Sequence, residues 1–452
     1  AGYRYAIFHG IGGTLLMAAI LQTYAVKGTF LFASVPGGPE VAGITVGLPA
    51  ALAAIGIGVN VGFIGLHTWL PDTYPRPHIA ASVFLCVFTT KTGVYGMYRA
   101  FPDGHIALAY MGGGMAVFGA TYALFQNDMR RLLSYHIQSQ VGYMIAGVGI
   151  GSALSQAGAF AHVFNHILYK GLLFMTAGVV IYRTGEENLK KLGGLARQMP
   201  ITASAFTVAA LSIAGFPLFN GFVSKGIIIS GSHYTFGTGP LPIGDFHTLE
   251  WLLLLGGIGT FMSFIKFGYY AFFHGDYDGS VEDANRGQTV AMLSVAALCV
   301  GYGVFDSALF AILPFDVTDP AVVEKVYKTY TVPHIVEGVA LGVFGLIGFA
   351  LMKKPLSKLG RVPDIDAIYN RGMFYGGRGL VVGVTELWAG VDRAVMRTVA
   401  KAKHVGSDPQ AAVQRLGVGS ADQPVELRSG IDRSVFVLVG LVSLVLAILL
   451  LA

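Results

Sequence analysis

The sequence predicts an all-α fold: a polytopic transmembrane helix bundle of about eleven spans, with two broken helices and a C-terminal amphipathic segment. Three observations predict it. The chain is 54% hydrophobic and 12% charged, with a mean hydropathy of +0.62, whereas about a quarter of the residues in a soluble domain are charged. Apolar runs of about 20 residues, the length that crosses the hydrocarbon of a bilayer, recur along the chain. The alternating segments of about ten residues that build a membrane β-barrel are missing, and in lipid only helices or closed barrels satisfy every backbone group.

In chain order the spans lie near 5–26, 44–70, 78–99, 105–126, 132–154, 157–182, 200–229, 249–273, 288–312, 334–352 and 434–451. Two of them look broken. The span 44–70 carries "GIGVNVGFIGLHTWLPD", with Asn60 well inside and His67 just before Pro71. The span 200–229 carries "LSIAGFPLFNGFVSKG", in which Pro217 removes a helix donor between Gly215 and Gly221. Paired interrupted helices in two halves of a chain point to an ion path near the midplane. Kinks tolerated by neighbouring helices are the plainer reading. His67 is placed to bridge such a path to the surface.

The loops fall on two alternating sides. One side collects Arg4, Arg76, Arg130, Arg131, Arg183, Lys190, Lys191, Arg197 and Arg286; the other has Lys27, Arg99, Lys325 and Lys328. The first side is therefore expected to be cytoplasmic. Residues 353–433 differ in kind, being polar, Gly-rich and dense in Lys and Arg. Within them 366–404 alternates apolar and charged residues like an amphipathic helix lying on the membrane or on a partner, and the stretch after it reads as a flexible linker to a last span, 434–452.

Charged groups inside spans are costly and usually face a bundle interior or a water cavity. Lys91, Lys170, Lys225 and Lys266 all sit in such runs. In "AHVFNHILYKGLLF", His162, His166 and Lys170 stand four residues apart, which puts them on nearly one helix face over about 12 Å. Histidine exchanges protons near neutral pH, and a row of such groups bridged by water can carry them. Each residue also has a bland reading. A lone histidine is usually a satisfied packing residue, and Lys225 and Lys266 can snorkel from near helix ends. Zinc lacks a third ligand and the HExxH pattern.

Four stretches in this order, "GLHTWLPDTYPRPHIAASVFLCVFTTKTGVYGMYR", "QNDMRRLLSYHIQSQVGYMIAGVGIG", "AHVFNHILYKGLLFMTAGVVIYRTG" and "LSIAGFPLFNGFVSKG", resemble the antiporter-like proton-translocating membrane subunits. That superfamily includes the A and D subunits of Mrp-type cation/proton antiporters and the large membrane subunits of complex I and of membrane-bound hydrogenases. The resemblance covers roughly residues 1–310. It implies about fourteen helices in two inverted five-helix repeats, each with one broken helix, so the first repeat's early helices are expected to be missing here. Domains follow as 1–312 (translocation), 313–352 (a further helix), 353–433 and 434–452. By resemblance Lys91 matches the lysine of the central channel, His162, His166 and Lys170 match the later helix, and Lys225 matches the exit residue. The first broken helix usually bears a lysine that pairs with a glutamate of the missing fifth helix; here that position is Asn60, which cannot titrate. The tail "VPDIDAIYNRGMFYGGRGL" looks like that of some D-like chains of Mrp-type antiporters, which ranks the Mrp type ahead of complex I.

The expected function is proton movement, in exchange for sodium or potassium, within a multisubunit complex in the cell inner membrane. A proton-pumping subunit of complex I or a hydrogenase, and a non-conducting scaffold, are the alternatives. The proton pathway is expected to use Lys91, His162, His166, Lys170, Lys225, Lys266 and His67, with Asn60 beside it. No cofactor is expected, and any redox site belongs to partner subunits. Nothing suggests nucleic-acid binding, and Cys86 and Cys299 lie in apolar runs that suggest no disulfide framework. The chain begins with Ala1 rather than Met and carries no signal peptide, so an N-terminal part is expected to precede it.

Overall fold

A computed structural model describes residues 2–28, 47–236, 247–323, 325–358 and 362–407. Among these there is no β-strand, and the helices follow the expected spans closely. They are α1 (Gly2–Lys27), α2 (Gly47–Val61), α3 (Trp69–Thr73), α4 (Ile79–Ala100), α5 (Ile106–Phe125), α6 (Met129–Ile150), α7 (Ala153–Thr184), α8 (Pro200–Ala214) and α9 (Asn220–Phe236). Then come α10 (Thr248–Gly268), α11 (Arg286–Val304), α12 (Asp306–Phe310), α13 (Val332–Lys358) and α14 (Asp366–Ser407). Seven of them are long and apolar enough to cross a membrane whole: α1, α4, α5, α7, α10 with its continuation to Phe273, α11 and α13. The expected last span, 434–451, lies outside the described residues.

Helix ends follow local chemistry. The Asp128 side chain accepts from the Arg131 N–H at 2.8 Å, so α6 starts at Met129, a little before the expected span. Gly151 and Gly185 close α6 and α7 with φ of 84° and 71°, a conformation costly for any residue with a Cβ. The expected span 288–312 is shorter than read: α11 ends at Val304, and the separate short helix α12 follows.

α6 is the central element. Every residue in it except Arg131 is buried, which explains how it carries His136, Gln138 and Gln140: it faces protein rather than lipid. α5 crosses it closely. A Cβ on Gly112 would stand 2.3 Å from Ala146 N, and one on Gly142 would stand 2.6 Å from Ala116 N, so glycine alone permits this approach.

Both expected breaks are present. After Val61 the chain leaves the helix at Gly62 (φ 78°) and resumes at Trp69. The orphaned carbonyls there are taken up by side chains: Trp69 Nε1 donates to Val59 O at 2.8 Å and Gln138 Nε2 to Gly62 O at 3.1 Å. The second break lies between Ala214 and Asn220 and includes Leu218, which holds the unusual φ of 77°. Asn165 Nδ2 donates to Asn220 O at 2.7 Å and pins this break to α7.

The chain divides into two units, residues 1–368 and 369–452. The second begins inside α14, whose described part is a long helix exposing Leu380, Leu387, Trp388, Val391 and Val395, in keeping with the expected amphipathic segment.

Candidate functional site

α7 places His162, His166 and Lys170 on its buried face, each fully sheltered. Lys91 of α4, Lys225 of α9 and Lys266 of α10 are also buried. How each cation is held differs. Lys91 Nζ donates to Cys86 O and, at 3.2 Å, to Thr90 Oγ1 of its own helix. Lys225 reaches back across the second break: its Nζ donates to Ile213 O at 2.8 Å and Ala214 O at 3.4 Å, the carbonyls that the end of α8 leaves free. The same ammonium lies 4.7 Å from the centroid of the Tyr143 ring. Lys170 Nζ has no hydrogen-bond partner among the described residues and rests 5.9 Å from the ring centroids of both Phe174 and Phe264.

These groups form a line. From Lys225 the Tyr143 ring leads to His162, centroid to centroid 5.6 Å, and His162 to His166 at 6.5 Å, with Tyr169 beside both. His162 Nδ1 is 2.9 Å from Ser224 Oγ, and its Nε2 is 3.3 Å from Gln140 Oε1 and 3.2 Å from the Tyr169 hydroxyl. His162 thus ties α7 to α6 and to the α9 half of the broken helix. Lys170 follows His166 by one turn on the buried face of α7, and α4, which carries Lys91, packs against α7. Five of the expected residues therefore come together: Lys91, His162, His166, Lys170 and Lys225.

Three expected residues sit elsewhere. Lys266 Nζ donates to Leu124 O at 2.8 Å and Gln126 O at 2.6 Å, bonds that cap the end of α5. Asn60 lines a cavity of about 520 Å³ with His9, Thr92 and Arg99. His67 lies in the first break, fully buried, with Nε2 3.1 Å from the Asp364 carboxylate. Tyr135 donates its hydroxyl to the same carboxylate, and Tyr122 donates to Pro363 O at 3.2 Å. Burial pushes the Asp364 carboxyl up, but bonding and charge from His67, then the Tyr135 and Ile365 donors, hold it below the usual carboxylate range.

Several participants escaped sequence reasoning. His136 is buried against Phe264, and among the described residues both of its ring nitrogens lack a partner, as do those of His166. Gln138 Oε1 and Asn165 Oδ1 have no partner among the described residues either. The available signal was "YHIQSQ", a polar run in an apolar span. Such atoms, left dry, cost about 1–3 kcal/mol each, so the arrangement calls for water between these helices. Among the described residues no group of three or more His, Cys, Asp or Glu is placed to hold a metal ion.

Comparison with known proteins places this geometry in context. The family described as "NADH:quinone oxidoreductase/Mrp antiporter, TM" matches residues 1–235, just over half of the chain. The chain belongs to this family. The D subunit of a Na(+)/H(+) antiporter from Alkalihalophilus pseudofirmus is 31% identical over 293 residues, 62% of this chain and 57% of the relative. The N subunit of an NADH-quinone oxidoreductase from Desulforudis audaxviator is 32% identical over 243 residues, 51% of this chain and 48% of the relative. The chain thus spans about half the length of either relative. A solved chain from a membrane-bound sulfane sulfur reductase, an archaeal respiratory membrane complex, shares the fold with a TM-score of 0.63 at 23% identity, covering 98% of this chain and 76% of the other. With the family and its apolar helices, the protein is a multi-pass membrane protein.

Proposed function

We propose that the chain is an ion-translocating subunit of a multisubunit Mrp-type antiporter in the cell inner membrane, moving protons in exchange for sodium or potassium. One observation carries this: Lys225, Tyr143, His162 and His166 follow one another through the bundle, with Lys170 on the same buried face of α7 and Lys91 buried on the neighbouring α4, among polar atoms that have no partner among the described residues. A structural row would have its polar atoms satisfied. The likeness to the D subunit of an antiporter supports the antiporter form.

In this reading protons step between Lys91, water, His166 and His162 with Lys170 close by, and leave through Lys225. The steps are coupled because charge on one group opposes charge on its neighbour. Asn60 cannot supply the cation of the first broken helix, so Lys91 is the first cation of the path. The test is cation-driven proton flux in vesicles holding the intact complex. Lys91→Ala and His166→Ala are each expected to lower flux by about a hundredfold, the scale of a lost proton-transfer group. Undiminished flux in both removes the proposal. The likeness to the N subunit of an oxidoreductase favours a second reading, a redox-driven proton pump; flux driven by quinone reduction and indifferent to sodium and potassium selects it.

A further inference from the structure

Beyond Lys225 the polar line does not end at lipid. The ammonium borders a cavity of about 140 Å³ that is also lined by Tyr143, His233, Glu250, His334 and Glu337. A site needs only about 10–15 Å³ to hold a water, so this one has room for several. It lies where α9, from Phe222 to Tyr234, meets the N-terminal halves of α10 and α13, towards the end of the bundle that carries Lys325 and Lys328 and that the loop charges assign to the outside. Exposure rises along it, from 5% at Lys225 to 47% for the His233 side chain.

The cavity's other polar groups are mostly engaged. Glu250 accepts from His233 Nδ1 at 3.0 Å with one oxygen and from the His247 N–H at 2.7 Å with the other, which also caps α10. His334 Nδ1 lies 2.9 Å from Lys328 O. The Tyr143 hydroxyl donates to Leu253 O. Glu337 is different: among the described residues nothing hydrogen-bonds or ion-pairs with its carboxylate, although Glu337 lines the same cavity as the buried Lys225. That cavity is also lined by Tyr143, the ring against which Lys225 rests. Glu250 and Glu337 both lie beyond residues 1–235, the part the family match covers.

We propose, resting on the proton-path reading above, that Glu337 takes the proton from Lys225 and hands it to the outer water. An N–H bond of the Lys225 ammonium breaks, the proton crosses the cavity water, and an O–H bond forms on the Glu337 carboxylate. Lys225 becomes a neutral amine and Glu337 a carboxylic acid; loss of the acid proton to bulk restores the carboxylate. The Glu250–His233 pair holds the outer wall polar and keeps His233 turned to the mouth. Glu250, with both oxygens occupied, is a positioning residue.

The test is proton flux by the intact complex in vesicles at varied outer pH. Glu337→Gln keeps the shape and removes the titration, and is expected to lower flux by about a hundredfold and to flatten its dependence on outer pH; Glu337→Asp is expected to restore both. Lys225→Ala and His166→Ala run alongside. Their silence sinks the whole proton path, whereas their loss together with wild-type flux and pH profile in Glu337→Gln overturns Glu337 alone. A second measurement needs no variant. An apolar carbodiimide attacks a carboxylic acid rather than a carboxylate, and is expected to modify Glu337 in the wild-type complex and to block flux in proportion to the adduct found by mass spectrometry. Complete modification of Glu337 with flux intact, or block with Glu337 unmodified, overturns the assignment.

Discussion

Replacing Lys170 by methionine is expected to make the protein more stable and less active. The side chain is fully buried and its ammonium has no hydrogen-bond acceptor among the described residues. A lysine at the centre of a membrane helix costs about 2.5–3.5 kcal/mol on insertion scales. Two aromatic faces offset part of this. At 5.9 Å they stand near the limit of useful cation–π contact, so about 0.5 kcal/mol each is a fair return. Methionine fills nearly the same volume without the charge. The insertion cost less the two ring contacts leaves Lys170→Met more stable by about 2 kcal/mol.

Lys266 supplies the control. Its two bonds to Leu124 O and Gln126 O satisfy carbonyls that α5 cannot, and hydrogen bonds from a charged donor are worth about 1.5–3 kcal/mol each. Lys266→Met relieves the same insertion cost of about 3 kcal/mol but loses both bonds, about 4.5 kcal/mol together, and is therefore expected to destabilise by about 1.5 kcal/mol. Detergent-induced unfolding of the purified assembly at fixed lipid content reads both, and vesicle flux reads activity. If Lys170→Met proves destabilising by as much as Lys266→Met, then Lys170 is held by a satisfied structural contact and the idea of a charge retained for function is wrong. If it is stabilising and flux is unchanged, the lysine is ornamental to transport.

Two further predictions concern packing and the tail. Gly142→Ala places a Cβ 2.6 Å from both Ala116 N and Gly112 O and forces α5 from α6, so a loss of about 1–3 kcal/mol is expected in the same unfolding assay; a neutral result would show that the helices slide without cost. The docking of residues 362–366 depends on an ionised Asp364 facing His67 and Tyr135, with Asp366 nearby paired to Arg4. Because the folded carboxyl is held below its ordinary value, its contribution is complete above about pH 4 and is lost as pH falls through the lowered value. Hydrogen exchange across residues 362–366 should show protection at pH 7 that fades in acid, and little protection at any pH in Asp364→Asn; identical protection in the variant would show that Asp364 does not hold this segment.

The sequence by itself determined the order of the helices, the two interruptions and the register of His162, His166 and Lys170. Those features depend on local chemistry: apolar run length, Pro217 and its glycines, and a spacing of four on a 3.6-residue helix. Only the tertiary structure decided which lysines belong together. Lys170 and Lys266 both sit in apolar runs, yet one ammonium lies between two rings with no acceptor among the described residues and the other closes a helix end, because the deciding residues, Phe264, Leu124 and Gln126, come from about 90 to 140 residues away. The same holds for Asp364 at His67 and for Glu337 in the cavity of Lys225. Electrostatics and hydrogen bonding act through space over a few ångströms, and in a bundle the neighbours at that range are set by helix packing rather than by position along the chain.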